Sequence, residues 1–168
     1  MIWRAISGAL LRMRAAWWWM VYQGYRHSYN VDSAFRFNGA AIQLYGGGRI
    51  VLAADSYIGE LSTVQAAAGL SVTVGRHCMI SHNVRIYTSS SVADVDFRVG
   101  PVLTTSGSVV IGDGVWIGAN CYIAPGVIVG ANAVVGANSV VTRAIPPSEI
   151  WGGVPARFIR RKNTVAQP

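Results

Sequence analysis

The chain has 168 residues, of which 52% are apolar and only 12% charged. That length suits one domain with a real core. So apolar a chain has to hide surface in a regular stack, in an oligomer or against a membrane. Formal net charge is +7, and every basic residue except Lys162 is an arginine. The basic residues gather near the ends, at Arg4, Arg12, Arg14 and Arg26 and again at Arg157, Arg160, Arg161 and Lys162. Such a balance suits an anionic partner. No nucleic-acid-binding motif is present, so a nucleic-acid partner is not expected.

Residues 1–30 form an N-terminal segment. Residues 1–22 are apolar and Trp-rich, but Arg4, Arg12 and Arg14 leave only Ala15–Tyr22 uninterrupted. That run is far short of the roughly 20 residues a membrane span needs, and no small-residue cleavage site follows it. Ile2, Ile6, Leu10, Met13, Trp17 and Val21 share one face of a helix, with Trp18 and Trp19 off it. Two roles fit this amphipathic helix. It caps the rest of the fold or packs on a neighbouring subunit, or it lies on a membrane surface with interfacial Trp and Arg. The expected setting is cytoplasmic, in the second case at the inner face of the plasma membrane. Glycines 46–48 mark a turn before the next pattern begins.

From Ile111 the chain divides without a gap into six-residue units: IGDGVW, IGANCY, IAPGVI, VGANAV, VGANSV and VTRAIP. The first position is always Ile or Val, and the fifth is small or apolar. The pattern recurs upstream with breaks, from Leu52, Ile58 and Val64 and from Val74, Ile80 and Ile86. A six-residue period matches neither a helix nor an amphipathic strand. It fits a short strand and a tight corner, three to a triangular turn, with roughly four such coils stacked on one another. The fold expected is all-β, a left-handed parallel β-helix over residues 31–146. A long loop or arm at 87–110 interrupts it, and a C-terminal arm follows at 147–168. Cys78 and Cys121 fall on inward positions and read as buried thiols in a reduced setting.

Residues 111–160 resemble the C-terminal half of the hexapeptide-repeat acyltransferases. VWIGAN, GANSVV and GVPAR are most similar to the galactoside, maltose, antibiotic and polysaccharide O-acetyltransferases. The resemblance extends weakly back to about residue 50 and does not cover residues 1–45. It implies a homotrimer with sites between subunits, and acetyl-CoA as co-substrate in a groove between coils. Residue by residue, it implies cofactor contacts from Ala119, Ala137, Thr142, Arg143 and Arg157. The alanines would act through backbone, and the basic side chains would meet the cofactor's phosphates. Asn83, Tyr87 and Trp116 are the candidate acceptor contacts. The acceptor expected by subfamily resemblance is a sugar hydroxyl in surface polysaccharide or glycolipid assembly. Other small acceptors (an amino sugar, an amino acid, an antibiotic) stay open.

Acetyl transfer to an alcohol needs a base near neutral pH, and His suits that task. His27 lies outside the repeats. His82 holds the third position of ISHNVR, the register of the catalytic His in the serine acetyltransferases and lipid A acyltransferases, with Val84 and Ile86 matching the context. The galactoside group instead implies a base at the position of Ser91, and no His follows residue 82. Four readings stand: His82 is the base, Ser91 marks a replaced base, His77 serves, or the chain is a non-catalytic relative. A γ-type carbonic anhydrase is disfavoured. His77 and His82 have its five-residue spacing but not its register, and the third His that an open zinc site needs is missing; no metal is expected.

Overall fold

In the computed structural model of the chain, residues 2–163 are described. One helix, α1 (Ile2–Ser28), is followed by short strands. The first coil is β1 (Asn30–Val31), β2 (Arg36–Asn38) and β3 (Gln43–Tyr45). The second is β4 (Arg49–Leu52), β5 (Tyr57–Gly59) and β6 (Thr63–Gln65). The third is β7 (Ser71–Val74), β8 (Met79–Ile80) and β9 (Arg85–Tyr87). A hairpin then leaves the stack, β10 (Ser89–Ser91) against β11 (Thr104–Ser106). The fourth coil is β12 (Val109–Ile111), β13 (Trp116–Ile117) and β14 (Tyr122–Ile123); the fifth is β15 (Ile128–Val129), β16 (Val134–Val135) and β17 (Val140–Val141). β18 (Glu149–Gly152) adds a sixth layer, and β19 (Arg157–Arg161) turns back antiparallel to it.

Each coil gives one strand to each of three parallel sheets, which are the faces of a triangular left-handed β-helix. Face A is β1-β4-β7-β12-β15, face C is β3-β6-β9-β14-β17, and face B carries β2, β5, β8, β13, β16, β18 and β19 in that order. The edges are named AB, BC and CA for the faces they join.

The repeat explains the core. The first residues of the units stack in register, as in Ile58, Ile80, Ile117 and Val135 on face B and Val64, Ile86, Ile123 and Val141 on face C, all fully buried. Each such side chain is worth about 1.5–3 kcal/mol of burial. Fifth positions turn inward at the corners, which puts Val115, Cys121, Val127, Ala133 and Ser139 inside. The polar ones are satisfied, as buried groups must be. The Ser56 hydroxyl donates to the Gly75 carbonyl at 2.7 Å and accepts from the Cys78 amide at 2.8 Å. Ser62 bridges Ser81 and Val84 in the same way.

Two expectations are corrected. The stack has five coils, not roughly four, because the first runs from Asn30 to Tyr45. Glycines 46–48 therefore join two coils and do not precede the stack. The first coil has no hexapeptide pattern because its core is the end plug: Phe35, Ile42 and Leu44 are buried, and Phe37 stacks on Tyr22 at 4.5 Å. The 87–110 segment, expected as a loop or arm, leaves the stack as an antiparallel hairpin at its base, where Ser89 to Ser91 pair with Thr104 to Ser106. On α1, the side that packs on the first coil is Trp18, Val21, Tyr22 and Tyr25. Only Val21 of the expected face takes part, while Ile6, Leu10, Met13 and Trp17 are exposed.

Candidate active site

The chain turns from face B to face C at the third residue of each face-B unit. These residues are Glu60, His82, Ala119 and Ala137, one above another along the BC edge. Backbone bonds tie the column together. The Asn83 amide donates to the Glu60 carbonyl at 2.9 Å, the Asn120 amide to the His82 carbonyl at 3.0 Å, and the Asn138 amide to the Ala119 carbonyl at 2.8 Å. Asn83, Asn120 and Asn138 turn the corner in the left-handed region, with φ of 54°, 59° and 57°, a conformation asparagine tolerates better than most residues. Their side chains form a ladder along the edge. The Asn83 amide group donates to Asn120 at 2.9 Å, and that of Asn120 to Asn138 at 3.1 Å.

Close approach between coils sets the shape of this edge. A Cβ at Gly118 would lie 2.5 Å from the Ala137 amide nitrogen, so only glycine lets these two corners stack. A Cβ at Gly59 would lie 2.8 Å from His82 Nδ1, so the imidazole rests over the bare backbone of the coil below. His82 is exposed, and Ala119 and Ala137 above it carry only methyl groups. Their amides donate to no backbone carbonyl among the described residues. The edge above His82 is therefore a shallow groove walled by backbone. At about 4.8 Å per strand the groove rises past Ala119 and Ala137 to Gly152, and cross-strand from Gly152 is the exposed Arg157. From His82 to Arg157 is four strand spacings, about 19 Å.

His82, Asn83, Ala119, Ala137 and Arg157 thus share one edge of one chain. Thr142 and Arg143 do not: they follow β17 on the CA edge, both exposed. Ser91 ends β10 opposite Thr104 on the arm, also on the CA side and also exposed. Tyr87 lies at the CA end of face C, its ring edge-on to Tyr122 at 5.7 Å. Trp116 stands on face B between Met79 and Val134, by a cleft of about 520 Å³ that Ile150, Arg160 and Lys162 also line. Other basic residues are engaged within the fold: Arg161 pairs with Glu149 at 3.6 Å and Lys162 bonds Asn132. His77 turns the AB edge, so one chain does not bring it to His82. Among the described residues no three His, Cys, Asp or Glu converge on a metal-sized site. Burial pushes the Cys78 and Cys121 thiols up from their ordinary range, and each thiol donates to a carbonyl, Gly112 at 3.0 Å and Gly136 at 3.1 Å.

Of the asparagine ladder only Asn83 was among the residues expected from sequence; Asn120, Asn138, Gly59 and Glu60 were not. The ladder had a signal, the triplet Gly-Ala-Asn at 118–120 and 136–138. Glu60 becomes visible as a neighbour of His82 once hexads are counted in threes.

The family model for the bacterial transferase hexapeptide (six repeats) matches residues 108–143. Among solved structures, a hexapeptide-repeat-containing acetyltransferase from Vibrio cholerae O1 biovar eltor, complexed with acetyl coenzyme A, is 30% identical. Its TM-score is 0.69 over 83% of this chain and 75% of its own. A galactoside acetyltransferase in complex with coenzyme A is 28% identical, with a TM-score of 0.62 over 78% of this chain and 64% of its own. AntD, an N-acyltransferase from Bacillus cereus, shares the fold at 19% identity, with a TM-score of 0.67 over 84% and 89%. With its stacked coils, its small-residue edge and this level of identity to the Vibrio enzyme, the chain belongs to the bacterial hexapeptide-repeat transferases.

Proposed function

We propose that the chain transfers acetyl from acetyl-CoA to a sugar hydroxyl, with His82 as general base. The observation that carries this reading is the BC edge. It offers one exposed imidazole at the foot of a backbone-walled groove, and an arginine about 19 Å along it. An extended thioester cofactor fits such a groove, with amides available to its pantetheine and Arg157 available to its phosphates. The Vibrio relative, complexed with acetyl-CoA, supports the same cofactor. The sugar acceptor rests on the likeness to the galactoside enzyme.

In the reaction the His82 imidazole takes the hydroxyl proton as the acceptor oxygen attacks the thioester carbonyl carbon. The tetrahedral intermediate collapses with loss of the CoA thiolate, which takes that proton back from the imidazolium. A backbone amide at a small-residue corner is suited to hold the developing oxyanion.

The active unit in this reading is a homotrimer. Thr142 and Arg143 lie on the CA edge and the groove on the BC edge, with face C between them. A second copy is needed to bring the two edges to one cofactor. Steady-state release of CoA thiol with a panel of sugar acceptors tests the proposal. His82→Ala is expected to lower turnover by about two to four orders of magnitude while CoA still protects the protein against thermal unfolding. Full turnover in His82→Ala would remove the assignment.

A further inference from the structure

The amphipathic stripe of α1 is not the stripe that packs on the β-helix. Trp18, Val21, Tyr22 and Tyr25 close the first coil. Trp3, Ile6, Leu10, Met13, Trp17 and Met20 recur at three- and four-residue steps on another side, turned away by roughly 100° at 3.6 residues per turn. All six are exposed, Trp3 to 81% and Trp17 to 60%. A stripe of this kind is made by burial against something, and within the chain nothing described covers it. Arg14 borders it and Arg4 and Arg12 lie toward the opposite side of the helix, all three with exposed side chains, and α1 contains no Asp or Glu. Arg14 also lines an apolar cleft of about 410 Å³ between α1 and Gly39–Ala40, so basic and apolar surface are contiguous there. Among the described residues no helix is long and apolar enough to cross a membrane.

We propose that residues 3–20 of α1 lie on the surface of an anionic lipid bilayer. The apolar stripe sits at the acyl boundary, the tryptophans at headgroup depth and the three arginines in the field of the lipid phosphates. Charge selects this occupant over a second copy of the chain. Each copy carries a formal charge of +7, and α1 against α1 would set arginine against arginine. The inference does not depend on the acyl-transfer reading.

Vesicle flotation of the full-length protein tests it, with phosphatidylcholine alone and phosphatidylcholine mixed with phosphatidylglycerol. Flotation is expected with the mixed vesicles only, lost at high salt, and accompanied by a blue shift of tryptophan emission. Replacing Arg4, Arg12 and Arg14 together by Gln should weaken partitioning about a hundredfold, on the usual contribution of basic residues at an anionic surface. All three are exposed, so circular dichroism should show an unchanged fold. Leu10→Ser with Trp17→Ser should also weaken partitioning while leaving the sedimentation coefficient unchanged. Folded protein that stays off the mixed vesicles, or floats equally with neutral ones, would overturn the proposal. Dissociation of the oligomer in the Leu10/Trp17 variant would overturn it too, by assigning the stripe to a second copy.

Discussion

At the residue scale, the imidazole of His82 depends on what lies beneath it. A methyl at Gly59 would meet the Ser81 carbonyl carbon at 2.7 Å and His82 nitrogens at 2.8 Å. Backbone cannot yield as a flexible side chain can. Gly59→Ala should therefore destabilise the fold by about 1–3 kcal/mol, the ordinary cost of overpacking, and lower turnover by displacing the imidazole. Chemical denaturation and thiol-release kinetics check the two effects. Ser91 is the contrasting position, exposed on the arm and distant from the imidazole along the same chain. If Ser91→His raises turnover sharply while His82→Ala leaves it unchanged, the base belongs on the arm. The cysteines give a third outcome: with raised thiol pKa values, both stay protonated in the native protein through mildly alkaline pH. A thiol reagent should label neither until the chain unfolds. His82 stood out as a candidate in the sequence because the chemistry asked for a base and few histidines were on offer. Its column was not, because the phase slips at residues 66–70 and at the arm hide which hexads lie above one another.

At the element scale, α1 is held by a few polar bonds under an aromatic plug. The Tyr22 hydroxyl donates to the Gly39 carbonyl at 2.8 Å and accepts from the Ile42 amide at 3.3 Å. Arg26 donates to the carbonyls of Asp32 and Phe35. Tyr22→Phe leaves the buried Ile42 amide without its acceptor, which costs about 1–3 kcal/mol, readable as a lower denaturation midpoint with an unchanged m-value. The helix was evident from its apolar period, but the period did not tell which side packs on the first coil. Amphipathicity reports that a face is buried against something and not what the something is. The first coil was hidden for another reason. Its buried residues Phe35, Ile42 and Leu44 meet an aromatic cap where later coils meet copies of themselves, so no repeat is imposed on them.

At the scale of the whole molecule, the hexapeptide period carried the architecture because stacking forces each coil to present the same residue types to the next. The gap-free repeat from Ile111 was legible for that reason, and the assembly was not, since nothing in one coil's own core refers to a second chain. A trimer is expected in sedimentation equilibrium, and Arg143→Ala should weaken CoA protection against heat although Arg143 lies on the other edge from His82. A stack of coils also has a direction of loss. Strands in the second to fourth coils have bonded neighbours on both sides, while the strands of the first coil have one. Contacts between coils run only to the nearest layers, so an inner amide reaches solvent by an opening that begins at an end. Amide hydrogen exchange should therefore be graded along the chain, fastest around Val31 and Phe37 and slowest around Ile80, Ile86 and Ile117. The foot of the groove at His82 would then sit in the part of the molecule that opens last, while its far end at Arg157, on the outermost strand, belongs to an end that comes and goes far more often.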